Sequence, residues 1–394
     1  MPSATQPLLV FGPRSTTYDF GPSHPLTPRR FGPGISLLES LGAVPGLAPE
    51  PASDEELAWI HEQAYIDAVK TSGRDPLGSP RMGIGPGDTP AFRGMHEASA
   101  AVAGGSLRAM EAILRGDVEH AFQPGGGLHH AMPARASGFC VYDDPALAIA
   151  RARRDGLRVL YVDLDVHHGD GVQAIHWADP GVLTVSIHES GYALFPGTGF
   201  PDELGAPGAE GTKVNIPLDP GTGELGWVEA LEIVLPTVAD AFRPDIVVSQ
   251  HGADSHAFDP LAHLLVTTTA MGRAAHLVDE LAHRDAGGRW LATGGGGYDV
   301  YRVVPRAWAQ VWLAQSHAKP LGDLSPEWRE RWAADAEHYG QSPMPTTLDD
   351  PPNAGLPYRS AQERSDGRAA VIAREVLDLV MPALSRTLEQ ASNI

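Results

Sequence analysis

The 394-residue chain has one cysteine, Cys140, so no intrachain disulfide can form and cysteine-rich zinc frameworks are excluded. That scarcity suits a reducing compartment. Positive charge is also scarce: 29 Lys and Arg stand against 49 Asp and Glu, a formal charge of −20. Such a surface does not attract phosphate backbones, so direct nucleic-acid binding is not expected, whereas cationic substrates and basic protein tails are tolerated. No apolar run approaches the ~20 residues that span a bilayer, so no membrane partner is expected. The opening "MPSATQPLLVFGP" lacks the basic start and long apolar run of a signal peptide. These absences together predict a cytoplasmic protein. With 42% hydrophobic residues the chain can bury a large core, and its length allows one large or two ordinary domains.

What is present is a series of short apolar runs, several followed by glycine or polar turns: residues 8–12, 120–127, 159–166, 182–188, 245–252 and 290–297. Helix-like stretches lie between them, at 95–116, 226–242 and 267–284. Continuous apolar strands alternating with helices predict a parallel sheet covered on both faces. Ligands of such sheets bind outside the carboxyl ends of the strands. The polar clusters fall there. Residues 341–357 are proline-rich and read as a linker or surface loop. Beyond them, 368–390 reads as an amphipathic helix interrupted at Pro382. Packing back on the domain is its ordinary explanation; an oligomer contact is the alternative.

The densest cluster is "YVDLDVHHGDGV" (161–172), with three aspartates and two histidines directly after an apolar strand. Unpaired buried charge is very costly, so the groups need a shared partner, and a metal ion is the candidate. Alternation along a strand predicts Asp163, Asp165 and His167 on one face. A third ligand has to come from elsewhere, and Asp254 in "SQHGADSHAFDPLAHL" (249–264) follows another strand. Two carboxylates, one imidazole and an open position describe a catalytic metal site rather than a structural one. A lone Asp-x-His is commonly a capped turn; two independent strand-end clusters are not.

"GGGLHHAMP" (125–133) adds His129 and His130, which suit general acid–base chemistry because imidazole titrates near neutrality. Asp163 and Asp170 remain to orient them. "TGGGGYDVY" (293–301) has neither the lysine nor the serine or threonine of a P-loop, so its glycines admit close backbone approach and let Tyr298 point into the site as an oxyanion donor.

Taken in order, "GGGLHHAMP", "GFCVYDDPALA", "YVDLDVHHGDGV", "LTVSIHESGYALFPGTG", "QHGADSHAFDPLAHL" and "GGGGYDVYRVVPRAW" resemble the histone deacetylase superfamily, from near residue 18 to near 315. The last two are most similar to the bacterial acetoin-utilisation deacetylases. The resemblance implies a single-domain, three-layer α/β/α arginase-like fold with a predominantly parallel sheet. Residues 1–320 would form the catalytic domain; the resemblance says little about 321–394, whose own pattern reads as an extension packed on that domain. It implies that Asp165, His167 and Asp254 bind Zn²⁺ or Fe²⁺, that His129 pairs with Asp163 and His130 with Asp170, and that Tyr298 completes the oxyanion site. Phe139 and Phe195, with Gly138, would wall a tunnel for lysine methylenes, with Leu261 at the rim and Gly296 against the substrate. Asp88 in "GPGDTPAF" would hold substrate backbone amides. K⁺ would bind beside the site through Asp163, Asp165, His167, Ser186 and Ile187. Asp143 stands where many family members carry asparagine.

The implied activity is hydrolysis of Nε-acetyl-lysine in proteins, releasing acetate. An acetylpolyamine or other small-amide substrate is the first alternative. A module that binds acetyl-lysine without hydrolysing it is the second. The oligomeric state stays open, a homo-oligomer included.

Overall fold

The structure, a computed structural model, describes residues 6–75, 77–351 and 359–392. Residues 352–357 of the proline-rich stretch and the first five of the opening segment lie outside the described residues.

Eight parallel strands form one sheet: β1 (Leu8–Val10), β2 (Pro45–Leu47), β3 (His120–Gln123), β4 (Val159–Asp163), β5 (Val182–Glu189), β6 (Lys213–Leu218), β7 (Ile246–Gln250) and β8 (Trp290–Thr293), in the order β2-β1-β3-β8-β7-β4-β5-β6. All six apolar runs of the sequence supply strands, and each strand stops where its polar cluster begins. Two strands have no such run. β2 is the short, exposed "PGL" on the sheet edge, and β6, "KVNIPL", carries Lys213 and Pro217. Pro217 is tolerated because β6 is the other edge.

The helices are α1 (Phe31–Ser40), α2 (Asp54–Leu57), α3 (Gln63–Ser72), α4 (Met95–Leu114), α5 (Asp144–Arg154), α6 (Asp170–Ile175), α7 (Glu224–Phe242), α8 (Thr268–Asp285), α9 (Val304–Ser316), α10 (Pro326–His338) and α11 (Arg359–Ser392). Strand side chains alternate between two cores. Leu160, Val162, Val247 and Ala292 pack with apolar residues of α1, α7, α8, α9 and α11. Val159, Tyr161, Val248 and Leu291 pack with α3, α4 and α5. Both faces are therefore covered, which is why the strands read as unbroken apolar runs.

The register sets the site. Asp163 lies opposite both Ser186 of β5 and Gln250 of β7, Gln250 opposite Thr293, and Thr293 opposite Gln123. Four strands thus end level, and the loops that follow share one crevice.

At the C-terminus the structure departs from the sequence reading. α11 is a single helix with Pro382 inside it. Proline removes the bond to the carbonyl four residues back. Here both Pro382 and Asp378 are exposed, so water can satisfy that carbonyl. Ala369, Ala373, Val376, Val380 and Leu384 form the buried stripe of α11, which packs on α7 and β6.

Leu384 is fully buried in that contact. Leu384→Ala is expected to cost about 2–5 kcal/mol, as large-to-small core changes do. Thermal unfolding of the variant should stay a single transition at a lower Tm; an unchanged Tm would mean that α11 is not part of the cooperative unit.

Candidate functional site

β4 ends at Asp163, so Asp165 and His167 lie in the following loop rather than on the strand face that alternation predicts. They converge by another device. The Asp163 carboxylate accepts the Asp165 amide at 3.2 Å, and the Asp165 carboxylate accepts the His167 amide at 3.0 Å. Two successive Asx-type turns, each bonding the backbone two residues on, thus curl the segment over the strand end.

Asp165, His167 and Asp254 come together there, the two carboxylates fully buried and His167 nearly so. His167 Nδ1 is 3.0 Å from Asp165 Oδ1 and 3.2 Å from Asp254 Oδ2. Each donor atom lies within 4.8 Å of the others, close enough to share one ion. The other oxygens are already held: Asp165 Oδ2 accepts from Gln250 Nε2 at 2.7 Å and the Gly296 amide at 2.9 Å, and Asp254 Oδ1 accepts from the Val166 amide at 3.0 Å. Asp254 Oδ2 is buried, and its one close polar neighbour is His167 Nδ1 at 3.2 Å. Such a buried carboxylate oxygen is stabilised by a proton or by a cation, and the donor set of two carboxylates and one imidazole fits a divalent metal.

Burial and the neighbouring Asp165 raise the Asp254 carboxyl to about 6. Burial opposes charge on His167, but Asp165 and Asp254 outweigh it and hold the imidazole well above its ordinary range. The proton of the cluster therefore rests on His167.

His129 Nδ1 is 2.8 Å from Asp163 Oδ2, and His130 Nδ1 is 2.6 Å from Asp170 Oδ1. The two rings lie 4.0 Å apart. Burial would lower His129, but Asp163 and Asp165 raise it to about 10. Burial and then the facing His129 lower His130. The loop carrying both is fixed from below, since Asp144 at the start of α5 accepts the amides of Gly127 at 2.9 Å and Leu128 at 2.8 Å.

One pocket is lined by His129, His130, Gly138, Phe139, Asp165, His167, Gly296 and Tyr298 among others. Tyr298 is buried, and burial with the charges of Asp254 and Asp165 pushes its phenol well up, so it stays a donor. Gly296 is required, since a Cβ there would meet Asp254 Oδ2 at 1.9 Å. Gly138 has φ +52°, and a Cβ would meet the His130 ring at 2.2 Å.

Phe195 and Leu261 do not line that pocket. Phe195 is 45% exposed on its solvent side, its ring 5.1 Å from His130. Leu261 is half-buried and packs against the core cluster that includes Tyr298. Asp88 is exposed, but its Oδ2 accepts the Gly138 amide at 2.7 Å. Its carboxylate is thus partly committed to the chain itself. Ser186, paired with Asp163, and Ile187 lie buried on β5.

Sequence reasoning assigned no role to several supporting groups. Arg30 is buried and donates to the Gly295 carbonyl at 2.6 Å. Asp259 Oδ2 accepts the Tyr298 amide at 2.9 Å, and burial followed by Asp254 raises it to about 8. Tyr18 donates to the Phe139 carbonyl at 2.6 Å, holding a residue whose φ is +66°. Asp259 and Asp144 stood inside quoted motifs. Arg30 and Tyr18 gave no signal, because their partners are distant in sequence.

The histone deacetylase domain family matches residues 24–315. The chain belongs to the histone deacetylase family. It is 40% identical over 376 residues to the acetoin utilization protein AcuC of Bacillus subtilis, covering 93% of this chain and 96% of that one. The AcuC protein of Staphylococcus xylosus is 36% identical over 349 residues, 86% of this chain and 90% of its own. Among solved structures, an HDAC homologue complexed with SAHA superposes with a TM-score of 0.81 at 29% identity, over 93% of this chain and all of that one. The HDAC homologue from Aquifex aeolicus gives 0.80 at 29% identity, with the same coverage. This deacetylase-family chain is AcuC-like, and its fold is the family's. Among the described residues no helix is long and apolar enough to cross a membrane.

Asp254→Asn keeps the side chain's shape and removes its charge. The folded variant is expected to hold one metal equivalent fewer than wild type by elemental analysis and to lose turnover. Unchanged metal content with persisting turnover would remove Asp254 from the ligand set.

Proposed function

We propose that the chain is a metal-dependent amidohydrolase of the cytoplasm that removes acetyl groups from Nε-acetyl-lysine in proteins and releases acetate. One observation carries this reading: a single pocket is lined by Asp165 and His167 of the three-ligand cluster, by a histidine from each of two His–Asp pairs and by a buried tyrosine, with the third ligand, Asp254, directly behind. Membership of the histone deacetylase family supports the deacetylase part of this reading.

Asp165, His167 and Asp254 would hold Zn²⁺ or Fe²⁺, and such an ion supplies Lewis acidity toward an acetyl carbonyl and lowers the pKa of water. K⁺ would sit beside it, held by Asp163, Asp165, His167, Ser186 and Ile187. The neutral His130, oriented by Asp170, takes the proton of the attacking water and later delivers one to the leaving amine. His129, held in its charged form by Asp163, sets the field at the same centre. Tyr298 donates its hydroxyl proton as a hydrogen bond to the tetrahedral oxyanion. Gly138, Phe139 and Phe195 flank the unbranched methylene chain that presents the acetamide, with Leu261 at the rim. Gly296 leaves room for the substrate's end.

Tyr298→Phe keeps the ring and its packing while removing the donor. Turnover is expected to fall ~10²–10³-fold with substrate binding retained, the usual loss for one oxyanion donor. Near-normal kcat would take Tyr298 out of the mechanism.

Substrate class is decided at the rim. Peptide substrates offer backbone amides to Asp88, and acetylpolyamines offer none. Acetyl-lysine peptides are therefore expected to exceed acetylpolyamines in kcat/KM. Asp88→Asn, whose side-chain carbonyl can still accept from Gly138, should reduce the peptide reaction selectively. A polyamine preference, or equal losses on both substrates, would leave a small-amide hydrolase instead.

A further inference from the structure

A second cluster lies at the opposite end of the sheet. His120 is the first residue of β3, paired with Trp290 at the start of β8, so it sits at the amino ends of the strands. Asp279 and His283 are one turn apart near the end of α8. His317 directly follows α9. These residues belong to none of the motifs of the deacetylase pocket.

Four donor atoms converge there. Asp279 Oδ1 is 3.6 Å from His120 Nε2, 3.5 Å from His283 Nε2 and 3.3 Å from His317 Nε2. All four donor atoms lie within 4.8 Å of one another. A tetrahedral ion with bonds of about 2.0–2.1 Å separates its ligand atoms by about 3.4 Å. The three distances from Asp279 bracket that value, and closing the remaining gaps takes small ring movements. The three imidazole rings form a near-equilateral triangle, with centroids 5.1, 5.1 and 5.5 Å apart.

His120 points to a cation rather than to protons. Its Nδ1 lies 2.7 Å from the Gln315 carbonyl. A carbonyl only accepts, so Nδ1 carries the proton and the neutral ring turns the lone pair of Nε2 toward the cluster. His120 is 4% exposed, and Nε2 is buried with no hydrogen-bond partner. A histidine whose far nitrogen donates to a backbone carbonyl has the arrangement of a metal-bound imidazole. His283 and His317 are partly exposed, which leaves an entry path for an ion.

We propose that His120, Asp279, His283 and His317 form a second metal site that binds Zn²⁺ and fastens the ends of α8 and α9 to the start of β3. Four protein ligands fill a tetrahedral shell, so the site is structural and leaves no position for substrate.

The test uses full-length protein stripped by chelation and titrated with Zn²⁺ alone. Wild type is expected to bind two equivalents. The double variant His283→Ala/His317→Ala should bind one and keep its deacetylase activity once the remaining site is filled, and Asp254→Asn should also bind one. In the Asp254→Asn background, Zn²⁺ should raise Tm; adding the two alanines should abolish that rise. Both histidines are partly exposed, so the alanine variants should fold, which circular dichroism checks. Two equivalents retained without the two histidines, or no Zn²⁺-dependent rise in Asp254→Asn, would overturn the proposal. Loss of deacetylase activity in wild type with the second equivalent still bound would instead count only against the catalytic reading.

Discussion

The structure depends on how negative charge is held at the level ends of its central strands. Asp163, Asp165, Asp170 and Asp254 are all buried within one crevice. Bare carboxylates in such a place would be prohibitively costly. Each is answered by specific groups: Asp163 by His129 and the Tyr161 hydroxyl, Asp170 by His130, and Asp165 by Gln250 and the Gly296 amide. Of these four, Asp254 keeps a buried oxygen without such a partner. The deficit of positive partners is local, and it marks where an ion belongs.

That requirement spreads into the backbone. Donors must come close to the carboxylates, so side chains are excluded where the glycine run passes Asp254. The loop carrying His129 and His130 is aligned by Asp144, which accepts two of its amides. Phe139 is held in a left-handed conformation that costs a non-glycine residue energy, and the hydroxyl of Tyr18 fastens its carbonyl. The three layers beneath are rigid and apolar, and they supply the stability against which such strain can be maintained.

The sheet was legible because central strands covered on both faces must be continuously apolar, as in "VLYVD". The edge strand "KVNIPL" was not, because an edge tolerates polar residues and proline. The Asp–His clusters were legible because several titratable groups directly after an apolar strand have no inexpensive alternative explanation. Their means of convergence was not, since Asx turns rather than strand alternation bring Asp165 and His167 together. The partner of Asp88 was hidden for another reason: its bond to Gly138 spans 50 residues, and nothing local in "GPGDTPAF" encodes it. Arg30 shows the same limit over 265 residues.

His129 and His130 show how a fold separates two identical side chains. They are adjacent in sequence, each with an aspartate on Nδ1, and burial disfavours charge on both. The difference lies in the next neighbours. His129 faces Asp163 and also Asp165, 3.8 Å from its Nε2, so it keeps a proton. His130 faces His129 and His167 and is kept from taking one, despite Asp170. Since the rings are 4.0 Å apart, two charges on the pair would repel strongly, and the first proton settles on His129. In the proposed reaction neutral His130 would then be the available base, and the charge beside it would oppose long residence of a second proton. A group that must accept a proton and soon return it to a leaving amine needs that opposition.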